Sequence, residues 1–243
     1  MRIQLIAALL VALILPSANA ADITSHIAPP KSGIIKVAFV LSEGATVIDF
    51  AGPWDVFETV VLHGEGNAAS SQPFRLYTVA PSKAPLHTSG GATPGMTVIP
   101  DYSFADAPTP DIVIIGAQSG GPGLSEWLQK MHADGKLLLS ICTGVSGLAD
   151  AGLLDGKSAT THHAYLDRLA STYPKVHVVR SVRYVQSDPI IFTSAGETSG
   201  IDLALHIVAE YYGVEVAQKT ADYMEYQGTG WKTNQGFVDA TKP

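Results

Sequence analysis

The 243-residue chain contains one cysteine, Cys142. It can therefore form no internal disulfide and no cysteine-built metal cluster. Charge is also sparse. Only 15% of residues are Asp, Glu, Lys or Arg, and 22 acidic residues outnumber 15 basic ones, for a net charge of -7. A surface that tracks phosphates needs clustered Lys and Arg, so nucleic acid is not an expected partner. Low-complexity blocks and fixed-period repeats are missing, and a hydrophobic content of 46% excludes general disorder. Past residue 20 no run of 18 apolar residues occurs, so the mature chain offers no candidate membrane span.

The first twenty residues are unlike the rest. Met1 and Arg2 make a short basic start, Leu5 to Leu15 is unbroken apolar sequence, and Pro16-Ser17-Ala18-Asn19-Ala20 ends in a small-x-small pattern. This predicts a secretory signal peptide cleaved after Ala20, leaving residues 21–243 as one domain, periplasmic or secreted, with no membrane association. In an oxidising compartment cysteines usually pair, so a lone Cys142 is either a buried spectator or a working thiol.

Downstream, apolar runs of strand length alternate with amphipathic stretches. Strands are predicted at Ile34–Leu41, Phe74–Ala80, Met96–Ile99, Asp111–Ile115, Leu137–Ile141, Val176–Val179, Val182–Gln186 and Ile190–Thr193, the last two as a hairpin around Ser187-Asp188-Pro189. Helices are predicted at Pro53–Leu62, with Pro53 in the first turn, and at Leu124–Ala133, Val145–Leu154, His163–Tyr173, Ile201–Tyr212 and Val214–Tyr226, the last two parted at Gly213. Continuously apolar strands interleaved with helices point to a three-layer α/β/α sandwich with a mostly parallel central sheet. Ala21–Gly33 and Gly228–Pro243 read as surface arms, although the aromatic segment Tyr223–Trp231 suits packing on the sheet or on a second subunit.

Chemistry concentrates where the strand Leu137–Ile141 runs into Cys142-Thr143-Gly144 and a helix. A cysteine there sits on a nucleophile elbow beside a helix N-terminus, which favours a thiolate and predicts a pKa below the free value of about 8.5. The Thr143 N–H would face an oxyanion formed on the substrate, and the glycine-rich loop Gly116–Gly123 would supply a second donor. That loop lacks the Gly-x-Gly-x-x-Gly pattern of a dinucleotide site. His63, His87, His132, His177 and His206 are too scattered for a metal site, so neither cofactor nor metal is expected.

The segments Thr46–Phe57 (TVIDFAGPWDVF), Cys142–Leu154 (CTGVSGLADAGLL), Ala159–His162 (ATTH) and Thr193–Leu205 (TSAGETSGIDLAL) resemble the DJ-1/PfpI superfamily. Within it, they are most similar to isonitrile hydratases and to the amidotransferase-like domains of AraC-type regulators. The resemblance implies a flavodoxin-like, DJ-1-like fold. It places the family cysteine on Cys142 and the facing acid on Asp49, which as a helix cap would have a structural role instead. Thr143 follows the nucleophile as in isonitrile hydratases, where the peptidase branch has histidine. His162 falls on the family histidine, close to the cysteine or serving only as a loop hydrogen-bonder, and His163 stands where isonitrile hydratases carry tryptophan and is read as lining the pocket. Gly116-Ala117-Gln118 replaces the family's Pro-Gly-Gly, with the Gln118 N–H as the candidate donor. Glu197 replaces an apolar residue, either as a second pocket acid or as a favourable carboxylate in the first turn of a helix.

The function implied is a cysteine-dependent addition of water to a small electrophilic substrate, an isonitrile going to an N-substituted formamide. The alternatives are another hydrolase or glyoxalase-type activity and a non-catalytic periplasmic redox or small-molecule sensor. With no room after Tyr226 for a helix-turn-helix module, a regulator is not expected. A symmetric homodimer is expected, burying apolar surface around Trp54 and Trp231.

Overall fold

The computed structural model describes residues 27–30, 33–60, 62, 72–90, 93 and 95–236. The predicted signal sequence, residues 1–20, lies outside them. The core strands are short β-branched and aliphatic runs: β1 (Ile35–Val40), β2 (Phe74–Ala80), β6 (Ile112–Ile115), β7 (Leu137–Ser140) and β11 (Ile191–Ser194). The others are β3 (Leu86–His87), β4 (Thr97–Val98), β5 (Tyr102–Ser103), β8 (Ser158–Ala159), β9 (His177–Val178) and β10 (Tyr184–Asp188). Helices are α1 (Val47–Thr59), α2 (Leu124–Ala133), α3 (Val145–Asp150), α4 (Leu166–Thr172), α5 (Ser199–Tyr212), α6 (Val214–Tyr223) and α7 (Gly230–Thr233).

A seven-stranded sheet runs in the order β10-β11-β7-β6-β1-β2-β5, parallel throughout except for the β10–β11 hairpin. Successive side chains of each strand point to opposite faces, so an all-apolar strand feeds two cores. Val37, Phe39, Ile112, Ile114 and Leu139 pack with α1, α5 and α6 on one face. Ala38, Val40, Val113, Ile115 and Leu138 pack with α2, α3 and α4 on the other. This is the expected three-layer sandwich. The chain winds outward from β1 through β2 and β5 on one side and through β6, β7 and β11 on the other, so the order reverses between β1 and β6. The carboxyl ends of strands at such a reversal frame the crevice where open α/β sheets bind ligands.

Several predicted boundaries move, each for a local reason. Helix α1 begins at Val47 rather than Pro53, so Pro53 lies inside the helix and is buried. Its ring withholds one intrahelical donor, a loss the packing of Val56 and Phe57 into the core outweighs. Helix α3 stops at Asp150 because Gly152 turns left-handed (φ +72°) and the Leu153 N–H reaches back to the Leu148 carbonyl at 3.0 Å. Glu225 (φ +51°) ends α6 in the same way, with the Tyr226 N–H on the Ala221 carbonyl. The stretch His163–Tyr173 divides into a 3-10 turn at His163–Tyr165 and then α4.

The C-terminal arm is part of the fold. Trp231 is only 3% exposed and belongs to the core. The Asn234 side chain accepts the backbone N–H groups of Arg183 (3.0 Å) and Tyr184 (2.9 Å) and donates to the Tyr184 carbonyl (3.1 Å). Trp231 is therefore not available as an intersubunit surface, contrary to the sequence expectation, and Ile27 at the other end also packs on the core.

Candidate active site

Strand β7 delivers Cys142 to the crevice through a 3-10 turn, Cys142–Gly144, that leads into α3. Cys142 has φ +57°, a left-handed conformation rare for a side chain of this kind and the signature of an elbow. The turn is held at several points. The Ile141 N–H bonds the Ile115 carbonyl, the Cys142 N–H bonds the Ala195 carbonyl at 3.1 Å, and the buried Thr161 hydroxyl donates to the Cys142 carbonyl at 2.8 Å. Gly144 permits the arrangement, since a Cβ there would stand 2.2 Å from the Ile115 carbonyl oxygen.

Asp49 sits in the first turn of α1 and is 1% exposed. Its carboxyl does not cap the helix. Oδ2 accepts the Ala117 N–H at 2.8 Å, and the carboxyl meets the Cys142 thiol. Oδ1 is buried without a well-formed hydrogen bond. Gly116 makes room for this approach, since a Cβ there would fall 2.6 Å from the Asp49 Cβ. Burial raises the Asp49 pKa to about 7, the Ala117 N–H opposing it and Glu197 adding to it.

Burial and the Asp49 carboxylate push the Cys142 thiol up to about 11, against the backbone N–H groups of Glu197 and Thr143, which donate to the sulfur. The expected low thiol pKa is thus corrected: α3 spans only six residues, and its field is outweighed by removing a thiolate from water beside a carboxylate. The Thr143 N–H donates to the Cys142 sulfur, whereas the motif suggested that it would face an oxyanion on the substrate.

The remaining predicted residues fall into two groups. Ala117 spends its N–H on Asp49 and is not free to hold an oxyanion. Gln118 follows it with both amide atoms buried and unpartnered. His162 packs over Gly196, where a Cβ would lie 2.1 Å from the ring, and its Nδ1 accepts the Ala164 N–H at 3.2 Å. Burial and His163 lower its pKa while Glu197 raises it, so His162 is bound to the wall around the sulfur through the Gly196-Glu197 turn. His163 is exposed, with its ring 4.4 Å from that of His162. Glu197 has φ +40°, is exposed, and acts electrostatically on Asp49, Cys142 and His162. The sequence reading assigned no role to Thr161 or to Thr193, whose hydroxyl accepts the Thr160 N–H at 2.9 Å. Their signal was membership in two of the quoted motifs, Ala159–His162 and Thr193–Leu205. Among the described residues no three His, Cys, Asp or Glu side chains come together as a metal site.

The class is that of mostly parallel three-layer α/β sandwiches that hold a cysteine elbow and a buried acid together beside the reversal of strand order. The family follows from comparison: the DJ-1/PfpI family profile matches residues 35–210, and the chain belongs to that family. Isonitrile hydratase of Pseudomonas putida is 30% identical over 198 residues, covering 79% of this chain and 78% of that protein. The HTH-type transcriptional regulator CdhR of Pseudomonas aeruginosa is 33% identical over 145 residues, 56% of this chain, which spans only 43% of that regulator's length. Among solved structures, a THiJ/PfpI family protein from Pseudomonas syringae is similar with a TM-score of 0.62 at 27% identity, covering 88% of this chain and 82% of that one. Drosophila melanogaster DJ-1beta shares the fold, with a TM-score of 0.63 at 20% identity, covering 81% and 100%.

Proposed function

We propose that the protein is a cysteine-dependent enzyme that adds water to a small electrophilic carbon compound, with isonitrile hydration as the reaction its site supports best. The observation that carries this reading is the Cys142–Asp49 pair, in which a buried acid with a pKa of about 7 touches the thiol. An acid of that strength can both take and return a proton at neutral pH.

In the step proposed, Asp49 as carboxylate takes the thiol proton while sulfur attacks the terminal isonitrile carbon. The protonated Asp49 then returns that proton to the same carbon, leaving a thioformimidate, S–CH=N–R. Water adds across the C=N bond, the hydroxyl to carbon and the proton to nitrogen. The resulting adduct expels the sulfur, which recovers the hydroxyl proton as the product R–NH–CHO forms. The chemistry charges no oxygen until the last step, which suits a site whose Ala117 N–H is committed to Asp49 and whose acids stand ready to protonate.

The relative in Pseudomonas putida supports the same reading. The high thiol pKa weighs against a sensor that works by oxidation of Cys142, because the thiolate is the species that oxidises.

Incubation with small isonitriles, with formamide followed by NMR, tests the proposal. Formamide should appear, Cys142→Ser should abolish it, and Asp49→Asn should slow it by about 10²–10⁴-fold. No formamide from any small isonitrile would overturn it.

We infer in addition that residues 1–20 direct export, on the strength of their basic, apolar and small-residue order, and that two copies pair through α1. That helix is apolar on nearly every side, yet Val47, Ile48, Ala51 and Trp54 line an open apolar cavity of about 820 Å³ with Ile201 and Met224. A helix of this kind is usually buried all round.

A further inference from the structure

The turn Ala195-Gly196-Glu197 wraps the reacting sulfur. The Ala195 carbonyl accepts the Cys142 N–H, the Gly196 Cα lies under the His162 ring, and the Glu197 N–H donates to the sulfur itself. The Glu197 side chain therefore starts from a residue in contact with the nucleophile and ends in an exposed carboxylate. Its backbone is left-handed (φ +40°), a conformation that glycine or asparagine would adopt at lower cost.

Among the described residues no lysine or arginine forms an ion pair with Glu197. Asp49 and Cys142 are acids, and His162 is held toward its neutral form by burial and by His163. Arg183 comes near, its Nη2 donating to the hydroxyl of the next residue, Thr198, at 3.0 Å, but its Nε is paired at 2.5 Å with Asp202, which is 1% exposed. An exposed carboxylate is thereby set beside the turn that holds Cys142.

We propose that Glu197 is a specificity residue that makes the site accept neutral and cationic electrophiles and turn away anionic ones such as carboxylated aldehydes or keto acids. The inference rests on the reading of Cys142 as the group that meets the substrate, and it narrows the substrate class. Unlike charge repulsion at a distance, repulsion at the mouth of a partly dehydrated site is only partly screened by salt.

Alkylation of Cys142, the only cysteine, measures this without knowledge of the substrate. The rates with neutral iodoacetamide and anionic iodoacetate would be taken as a ratio and divided by the same ratio for free glutathione. The normalised ratio should exceed 1 by about tenfold at low ionic strength, the scale of one unit charge in a partly wet site. It should fall toward 1 in Glu197→Gln, and in the unmodified protein it should shrink as salt is added. A ratio near 1, or one that Glu197→Gln leaves unchanged, would overturn the proposal, and Glu197→Asn, which suits the left-handed backbone at this position, decides the matter if the glutamine variant does not fold. Because the reagents are not isonitriles, a protein inert toward isonitriles can still show the ratio, and an active isonitrile hydratase can lack it.

Discussion

Cys142 and Asp49 place two acids side by side in a site where either charge is costly. Burial raises both pKa values, and the Asp49 charge raises that of the thiol further while the thiol's hydrogen bond lowers that of Asp49, so near neutral pH the pair holds at least one proton and loses the last only in strong base. Free ionisation of the thiol is therefore a poor route to the nucleophile. Transfer of its proton to Asp49 during attack is a better one, because the total charge does not change. The sign of each term gives a prediction. Labelling of Cys142 with iodoacetamide should rise with pH to a midpoint well above the free value of about 8.5, because burial and the Asp49 charge both disfavour thiolate. In Asp49→Asn the charge is removed and burial remains, so the midpoint should move down while staying above the free value. A midpoint below 8.5 in the unmodified protein, or an upward move in the variant, contradicts this account of the site.

At the level of elements, the site depends on close backbone approaches that side chains would prevent. The elbow lies directly on the end of β6, with no space for a Cβ at Gly144, where the obstacle is the Ile115 carbonyl, a fixed part of the sheet. At Gly196 the obstacle is the His162 ring, which can turn aside. The two positions should respond differently to the same change. Gly144→Ala should lower stability by about 1–3 kcal/mol or more, through forced separation of the elbow from the sheet, and should misplace Cys142 as well. Gly196→Ala should cost less and chiefly displace His162. Urea unfolding of both variants, with Cys142 labelling at one pH, makes the comparison, and equal losses at both sites would show that the elbow can shift as readily as a side chain. The identity of α1 as a helix, despite Pro53, is a further case in which element packing overrides a local preference.

For the whole molecule, the reversal of strand order between β1 and β6 explains why residues nearly a hundred positions apart meet. Asp49 follows β1, Ala117 follows β6 and Cys142 follows β7, and these are neighbouring strands whose carboxyl ends open into one crevice. The same architecture leaves Val47, Ile48, Ala51 and Trp54 of α1 only partly covered. Light scattering at micromolar concentration should give twice the mass of the chain, and Ala51→Glu, which puts a charge on that face, should return the mass to that of one chain. A single-chain mass for the unmodified protein would remove the pairing through α1.

Much of this was legible in the linear sequence, for reasons of local physics. Buried strands such as Ile112–Ile115 and Leu137–Ser140 are runs of apolar residues too short for other uses, and the alternation with amphipathic helices specifies layers on both sides of a parallel sheet. The strand-Cys-Thr-Gly-helix sequence marks an elbow, and the four quoted motifs carry Asp49 and Cys142 in family order. The sign of the Cys142 pKa shift was not legible, because it depends on burial and on a carboxylate supplied by another strand. Nor was the fate of the Ala117 N–H, of Trp231 or of the Glu197 carboxylate, whose roles follow from distances between segments far apart in the chain. Sequence periodicity and turn chemistry act over a few residues and so determined the elements. Desolvation, Coulomb interaction and hydrogen-bond assignment act through space, and only the tertiary structure decided them.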